Sequence, residues 1–302
     1  MTPNTLARCC FLQACALDVA VRKPGNVSVA SPGHRMHAAQ FISSAQAAAG
    51  PLCEAGARVG ARIENAVAAS WAAVGCNTNL GIVLLCAPLA AAAERPGALA
   101  HLAAFTHALQ AVLQGLDVED SRAAFRAIQQ ANPGGLGAAD AEDVHNEPQL
   151  GLRQAMALAA ERDSIARLYA QGFTELLELD WPNLQMSSRM SLPTNPPTTW
   201  QANPSPDPPL TAAVQHLYLQ ILARWPDSHI VRKHGLAAAQ GVSAQARLWQ
   251  AQPQPDHDPA FALWDQTLKE AGLNPGTSAD MTVATLMWAG LLPRPAAPWH
   301  GS

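Results

Sequence analysis

Apolar residues recur at steps of three and four along most of the chain, the spacing that turns one helical stripe toward a core. This periodicity predicts helices over Phe41–Ala49, Val59–Trp71, Leu99–Leu113, Ala123–Ile128, Leu152–Tyr169, Ala212–Leu222 and Phe261–Ala271. An ordinary first helix is expected at the start, where Arg8, Gln13 and Asp18 interrupt the apolar positions and argue against a cleaved signal segment. Leu80–Ala93 is the most apolar run. It is too short to span a bilayer core of ~30 Å, and Pro88 within it and Glu94 after it suit a buried core helix. Helix starts are marked by Asp117, Asp227 and Thr277, whose side chains can accept from first-turn N–H groups. Alternating patterns at hairpin spacing are absent, so the expectation is an all-α fold of about ten to thirteen helices.

Two segments break the helical pattern. Asn132–Gly137 (NPGGLG) is too rich in Gly and Pro to continue a helix. Residues 181–209 hold eight prolines among Asn, Ser and Thr. That stretch reads first as a tolerated surface insertion, because loop length costs little, and second as a lid. Residues 1–302 are taken as a single large multi-helix domain with this Pro-rich loop at 181–209, its helix-end loops forming one cleft.

Composition narrows the function classes. Hydrophobic residues make up 49% and charged residues 14%, enough material for a sizeable core. A net charge of −4 gives no basic field and argues against non-specific nucleic-acid binding. A polyphosphate substrate would then need a few local cations and magnesium. All six cysteines lie in the first third without a CxxC pair, and they read as reduced structural thiols of a cytoplasmic protein.

Polar segments that interrupt helices carry the candidate chemistry. Lys23-Pro24-Gly25-Asn26 sets a cation beside a turn, while Asn77-Thr78-Asn79 precedes the apolar helix. One asparagine would cap that helix, which leaves the other for a ligand. After NPGGLG come Asp140, Glu142, Asp143 and His145, acids that could hold magnesium through oxygen. Asp227–Gly235 gathers Arg232, Lys233 and two histidines within seven residues, more than one surface salt bridge requires. Asn274-Pro275-Gly276-Thr277 delivers a helix start, with Asp280 placed as the partner in a capping box. Each segment alone also has a plain structural reading as a cap, a turn or a solvated acidic loop.

Their order along the chain is more specific. KPGNVS from Lys23, FISSA from Phe41, NTNLGIVLLCAPLAAA from Asn77, NPGGLG, ERDSIARLYAQGF from Glu161, PDSHIVRKHG from Pro226 and LNPGTSADMT from Leu273 together resemble the triphosphoribosyl-dephospho-CoA synthase family, over roughly residues 5–292. The resemblance implies an all-α enzyme that joins the triphosphoribosyl group of ATP to 3′-dephospho-CoA and releases adenine. It departs from familiar members, which typically read Asn-Thr-His-Lys-Gly where this chain has Asn77–Gly81, and His-x-Asp-Met where it has His34–His37. Their glutamate before the Lys-Pro-Gly turn corresponds to Asp18. The pattern is closer to a branch found in archaea and methylotrophic bacteria. A related transferase in the synthesis of a tetrahydromethanopterin-type C1 carrier is therefore an alternative, and a non-catalytic helical nucleotide-binding protein is another.

On this resemblance the phosphate candidates are Lys23, Arg232 and Lys233. Asn77 and Asn79 are candidates for ribose or base, with Asn26 and Gly276 beside them as substrate contacts. Asp143, Asp163, Asp227 and Asp280 are candidate carboxylates of unassigned role, Asp143 also being the candidate Mg²⁺ ligand. His34 is a candidate acid. The expected partners are ATP with Mg²⁺ and 3′-dephospho-CoA or a related acceptor, with no nucleic acid and no membrane; a homodimer is a candidate assembly.

Overall fold

The apolar stretch beginning at Leu80 forms the centre of the molecule. In the computed structural model, which describes residues 1–132, 143–179 and 206–292, nearly every residue of this helix is buried. The expectations for NPGGLG beyond Asn132, for Asp140 and Glu142, and for the Pro-rich stretch as far as residue 205 lie outside the described residues. The helices are α1 (Pro3–Ala20), α2 (Ala38–Leu52), α3 (Val59–Val74), α4 (Leu80–Ala93), α5 (Leu102–Gln114), α6 (Val118–Ala131) and α7 (Leu152–Ala157). They continue as α8 (Ser164–Ala170), α9 (Thr174–Leu177), α10 (Pro208–Arg224), α11 (Ser228–His234), α12 (Leu236–Trp249), α13 (Pro259–Glu270) and α14 (Gly276–Leu291). The only β features among the described residues are two isolated bridges. The fold is all-α, one large multi-helix domain.

Fourteen helices among the described residues slightly exceed the expected number. Leu152–Tyr169 is not continuous: Asp163 turns its carboxylate to the N–H groups of Ile165 and Ala166 and starts α8 anew. Thr277 is not a cap either, because α14 already begins at Gly276 after Pro275. The last prolines of the 181–209 stretch, Pro208 and Pro209, open α10 under the cap Asp207. That position suits proline, whose missing N–H needs no partner in a first turn.

Aspartate caps recur. Asp117, Asp163, Asp207, Asp227 and Asp258 each accept from first-turn N–H groups of the helix that follows. These caps satisfy donors that a helix end otherwise leaves open.

The core has two parts joined through α10. Val214, Leu217 and Ile221 on one side of α10 pack into the large cluster built on α1, α4 and α14. Tyr218, Leu219 and Leu222 on the other side pack with Ile230, Val242 and Phe261. Each fully buried aliphatic or aromatic side chain contributes about 1.5–3 kcal/mol of burial free energy. This double-faced helix ties both halves into one body. The N-termini of α4, α8, α11 and α14 and the turn after α1 all border one cavity. No helix among the described residues is long and apolar enough to cross a membrane.

Candidate functional site

A cavity of about 530 Å³ opens among these helix ends. Ten of the twelve candidate residues line it: Asn26, His34, Asn77, Asn79, Asp143, Asp163, Arg232, Lys233, Gly276 and Asp280. Lys23 and Asp227 do not. Part of the lining is apolar, with Met36, Phe41, Phe125, Ile128, Val144 and Met156, while Ile82 and Leu84 of α4 contribute from the core. The rest is polar or charged.

Lys23 is fully buried, and its ammonium faces inward at 3.0 Å from Asp18 Oδ1, also donating to the Asp18 carbonyl. It is therefore not a phosphate contact but the partner of a buried carboxylate in the last turns of α1. The turn it begins is held from several sides. Tyr218 donates to Pro24 O at 2.7 Å, Asp265 accepts from Gly25 N at 2.8 Å, and His34 Nε2 bonds Gly25 O at 2.8 Å. Asn26 donates to Asn274 at 3.0 Å, joining this turn to the one before α14. Gly25 has φ +82°, and a Cβ there would lie 2.7 Å from Pro275 Cδ and 2.8 Å from Leu273 O. Only glycine lets the two turns meet so closely.

Asp227 is likewise committed. One oxygen accepts from His229 N and Ile230 N at the head of α11, and the other accepts from Ser278 N and Ser278 Oγ at 2.7 and 2.8 Å. It clamps α11 to α14 and presents no free oxygen to the cavity. The asparagines divide their work differently from expectation. Asn77 Oδ1 accepts from Leu80 N at 3.2 Å, whereas Asn79 makes no capping bond and donates to Ser70 Oγ at 3.0 Å.

Charge in the cavity is unevenly paired. Asp163 caps α8 with one oxygen and accepts from Arg232 at 2.5 Å with the other. Asp143 accepts from His145 N and Nδ1 at 2.8 and 2.7 Å. Asp280, half-buried in the first turns of α14, lines the cavity, and Gly81 stands opposite it: a Cβ at residue 81 would overlap its Oδ2. Burial, together with the charges of Asp18, Asp227 and Asp163, raises its pKa well above the usual carboxylate range against the opposing pull of Arg232. Burial also raises Asp18, with Lys23 pulling the other way. Lys233 and Arg162 make no ion pair among the described residues and are exposed at the cavity wall.

Two histidines border this region in neutral form. Burial and the neighbouring Lys233 and Arg232 push His229 down to about 3, and its Nε2 is buried without a partner. Burial lowers His34 as well. Its Nε2 must donate to the Gly25 carbonyl, so the proton expected of an acid is already committed and Nδ1 remains an acceptor. His34 and Arg35 occupy a mirror-type turn at φ 53° and 63°, closed by the Gly33–Met36 pair. Such backbone costs on the order of 1–3 kcal/mol per non-glycine residue. Asn26 Oδ1, His229 Nε2 and Arg232 Nε are buried polar atoms without hydrogen-bond partners, all from cavity-lining residues.

The model of the family described as CitG, ATP:dephospho-CoA triphosphoribosyl transferase, matches residues 4–297, almost the whole chain. The chain belongs to this family. Among solved structures it is similar to one from Archaeoglobus fulgidus provisionally named a triphosphoribosyl-dephospho-CoA synthase, at 22% identity and a TM-score of 0.59 over 82% of this chain and 97% of that one. That likeness supports the all-α fold. No match was found among curated proteins.

As a member of the ATP:dephospho-CoA triphosphoribosyl transferase family, the chain shows where its departures fall. Asn79 and Leu80 replace the His and Lys of familiar members, and Leu80 presents a buried apolar side chain to the cavity. Positive charge comes instead from Arg162, Arg232 and Lys233. Sequence reasoning missed Arg162, Asp18, His229, Asn274 and Thr277 as cavity residues. Each sits within or next to a family motif, so the motifs held the signal. Which face each side chain took was set by packing between distant helices.

Proposed function

We propose that this protein transfers the triphosphoribosyl group of ATP to the hydroxyl of 3′-dephospho-CoA and releases adenine. The observation that carries this reading is the meeting of the separated family motifs at one cavity, lined by Arg162 and Lys233, which form no ion pair among the described residues. The cavity, about 530 Å³, is within the size range of small-molecule sites. Capping alone would have no reason to bring the motifs together.

The chemistry asks for three things. The triphosphate must be held without being cleaved, a task for Lys233, Arg232 and Arg162, with guanidinium groups giving directional bonds to phosphate oxygens. The ribose and base need neutral polar contacts, for which Asn77, Asn26 and His229 stand in place. The C1′–N9 bond must break with oxocarbenium character on the ribose, which calls for an acid at the departing base. Mg²⁺ would arrive with ATP. No group of three potential metal ligands exists among the described residues, but Mg²⁺ is commonly held by one or two carboxylates together with phosphates and water. Asp143 on the cavity wall suits that part.

The test is incubation with ATP, Mg²⁺ and dephospho-CoA, with chromatographic separation of adenine, ADP and phosphate. Adenine formed only when acceptor is present supports the reading. Adenine formed with a pterin-type acceptor instead moves the protein to the C1-carrier alternative, and ADP or phosphate without adenine overturns ribosyl transfer.

A further inference from the structure

We infer that Asp280 is the general acid of this reaction, donating its proton to the departing adenine; the inference rests on the ribosyl-transfer reading above. Asp18, Asp143, Asp163 and Asp280 line the cavity and Asp227 stands behind it; all but Asp280 are committed, Asp143 to His145. Asp18 faces Lys23, Asp163 serves α8 and Arg232, and Asp227 joins α11 to α14. Asp280 forms no hydrogen bond or ion pair among the described residues, although it lines the cavity and lies close to those three carboxylates. A carboxylate placed there as an anion would call for a cation or several donors.

The fold makes room for this group without giving it a partner. Gly81 in the first turn of α4 lies against Oδ2, where any Cβ would overlap the carboxyl. The charged groups facing Asp280 are Asp18 from α1, Asp163 ahead of α8, Asp227 ahead of α11, and Arg232 on α11. Burial is the largest cause, and the neighbouring carboxylates add to it against the pull of Arg232, so the protonated form of Asp280 is favoured. A carboxylic acid kept neutral in this way is a hydrogen-bond donor and a proton source.

In the step assigned to it, the C1′–N9 bond breaks and its electron pair passes to the purine. The Asp280 proton moves to a purine ring nitrogen, and adenine leaves neutral. C1′ bonds to the acceptor oxygen, the hydroxyl proton passes to solvent, and Asp280 regains a proton from solvent.

The experiment compares the wild type with Asp280→Asn on two donors, ATP and ATP methylated at N7, whose base is already cationic and leaves without protonation. With ATP, kcat of the variant is expected to fall by ~10²–10⁴-fold with little change in KM. With the methylated donor it should stay near the wild-type value. The wild-type rate on ATP falls as pH rises through the raised pKa of Asp280, because only the protonated acid donates; the variant's residual rate lacks that limb. Equal losses on both donors, or full activity of the variant on ATP, overturn the assignment. Should Asp280→Asn not fold, Gly81→Ala displaces the same carboxyl and must show the same donor-selective loss. A wild type that releases no adenine from ATP instead overturns the ribosyl-transfer reading, and the acid assignment with it.

Discussion

Arg232 is only partly satisfied. It donates to Asp163 at the head of α8, while its buried Nε has no partner and belongs to the cavity wall. Replacing it with Ala is expected to weaken ATP binding by ~1.5–3 kcal/mol, the usual worth of a hydrogen bond to a charged group. Calorimetric titration of the folded variant with ATP checks this, and an unchanged affinity would confine Arg232 to its bond with Asp163. Lys23 behaves in the opposite way. It is fully buried against Asp18, so Lys23→Met strands a buried carboxylate and should lower stability by ~3–5 kcal/mol. Denaturant unfolding reads that loss directly, and a variant as stable as wild type would contradict a structural role. Lys23 was legible in the sequence as a charged residue beside a turn. Its direction was not, because that depends on Asp18 five residues earlier and on Tyr218 and Asp265 packing over the turn from far along the chain.

At the scale of helices, the polar caps explain why the chain divides where it does. Asp117 accepts from Glu119 N and Asp120 N, and Asp120 returns a bond to Asp117 N, a reciprocal box that starts α6. Asp117→Ala should cost about 1 kcal/mol, measured as a lower unfolding midpoint with unchanged adenine release, since Asp117 stands away from the cavity. Loss of activity without loss of stability would contradict that division. The caps at Asp117 and Asp227 were readable because a lone acceptor preceded an apolar periodic run. Thr277 misled for a physical reason: Pro275 and Gly276 had already turned the chain, and the Thr277 hydroxyl accepts from Ser228 Oγ at 3.0 Å instead. The stretch from Leu152 to Tyr169 kept its helical period across a break, because period reports which face is apolar and does not register a cap such as Asp163 in the middle.

For the whole molecule, the all-α fold was legible from abundant alanine and three-to-four spacing, and the family from the order of its motifs. The shared cavity was foreseen only through that order. Nothing in the spacing of Asn77, Asp143, Arg232 and Asp280 tells which helix ends meet, since the packing of α4, α8, α11 and α14 sets it. The account therefore stands on one event, transfer of an intact triphosphoribosyl group at this cavity. Its most direct test is mass analysis of the acceptor after incubation with Mg²⁺ and ATP carrying ¹³C throughout its ribose. The account predicts a product that holds the acceptor, the labelled ribose and all three phosphates, formed in equal amount with unlabelled adenine. An acceptor of unchanged mass beside ADP or free phosphate, with the label still bonded to adenine, would contradict it.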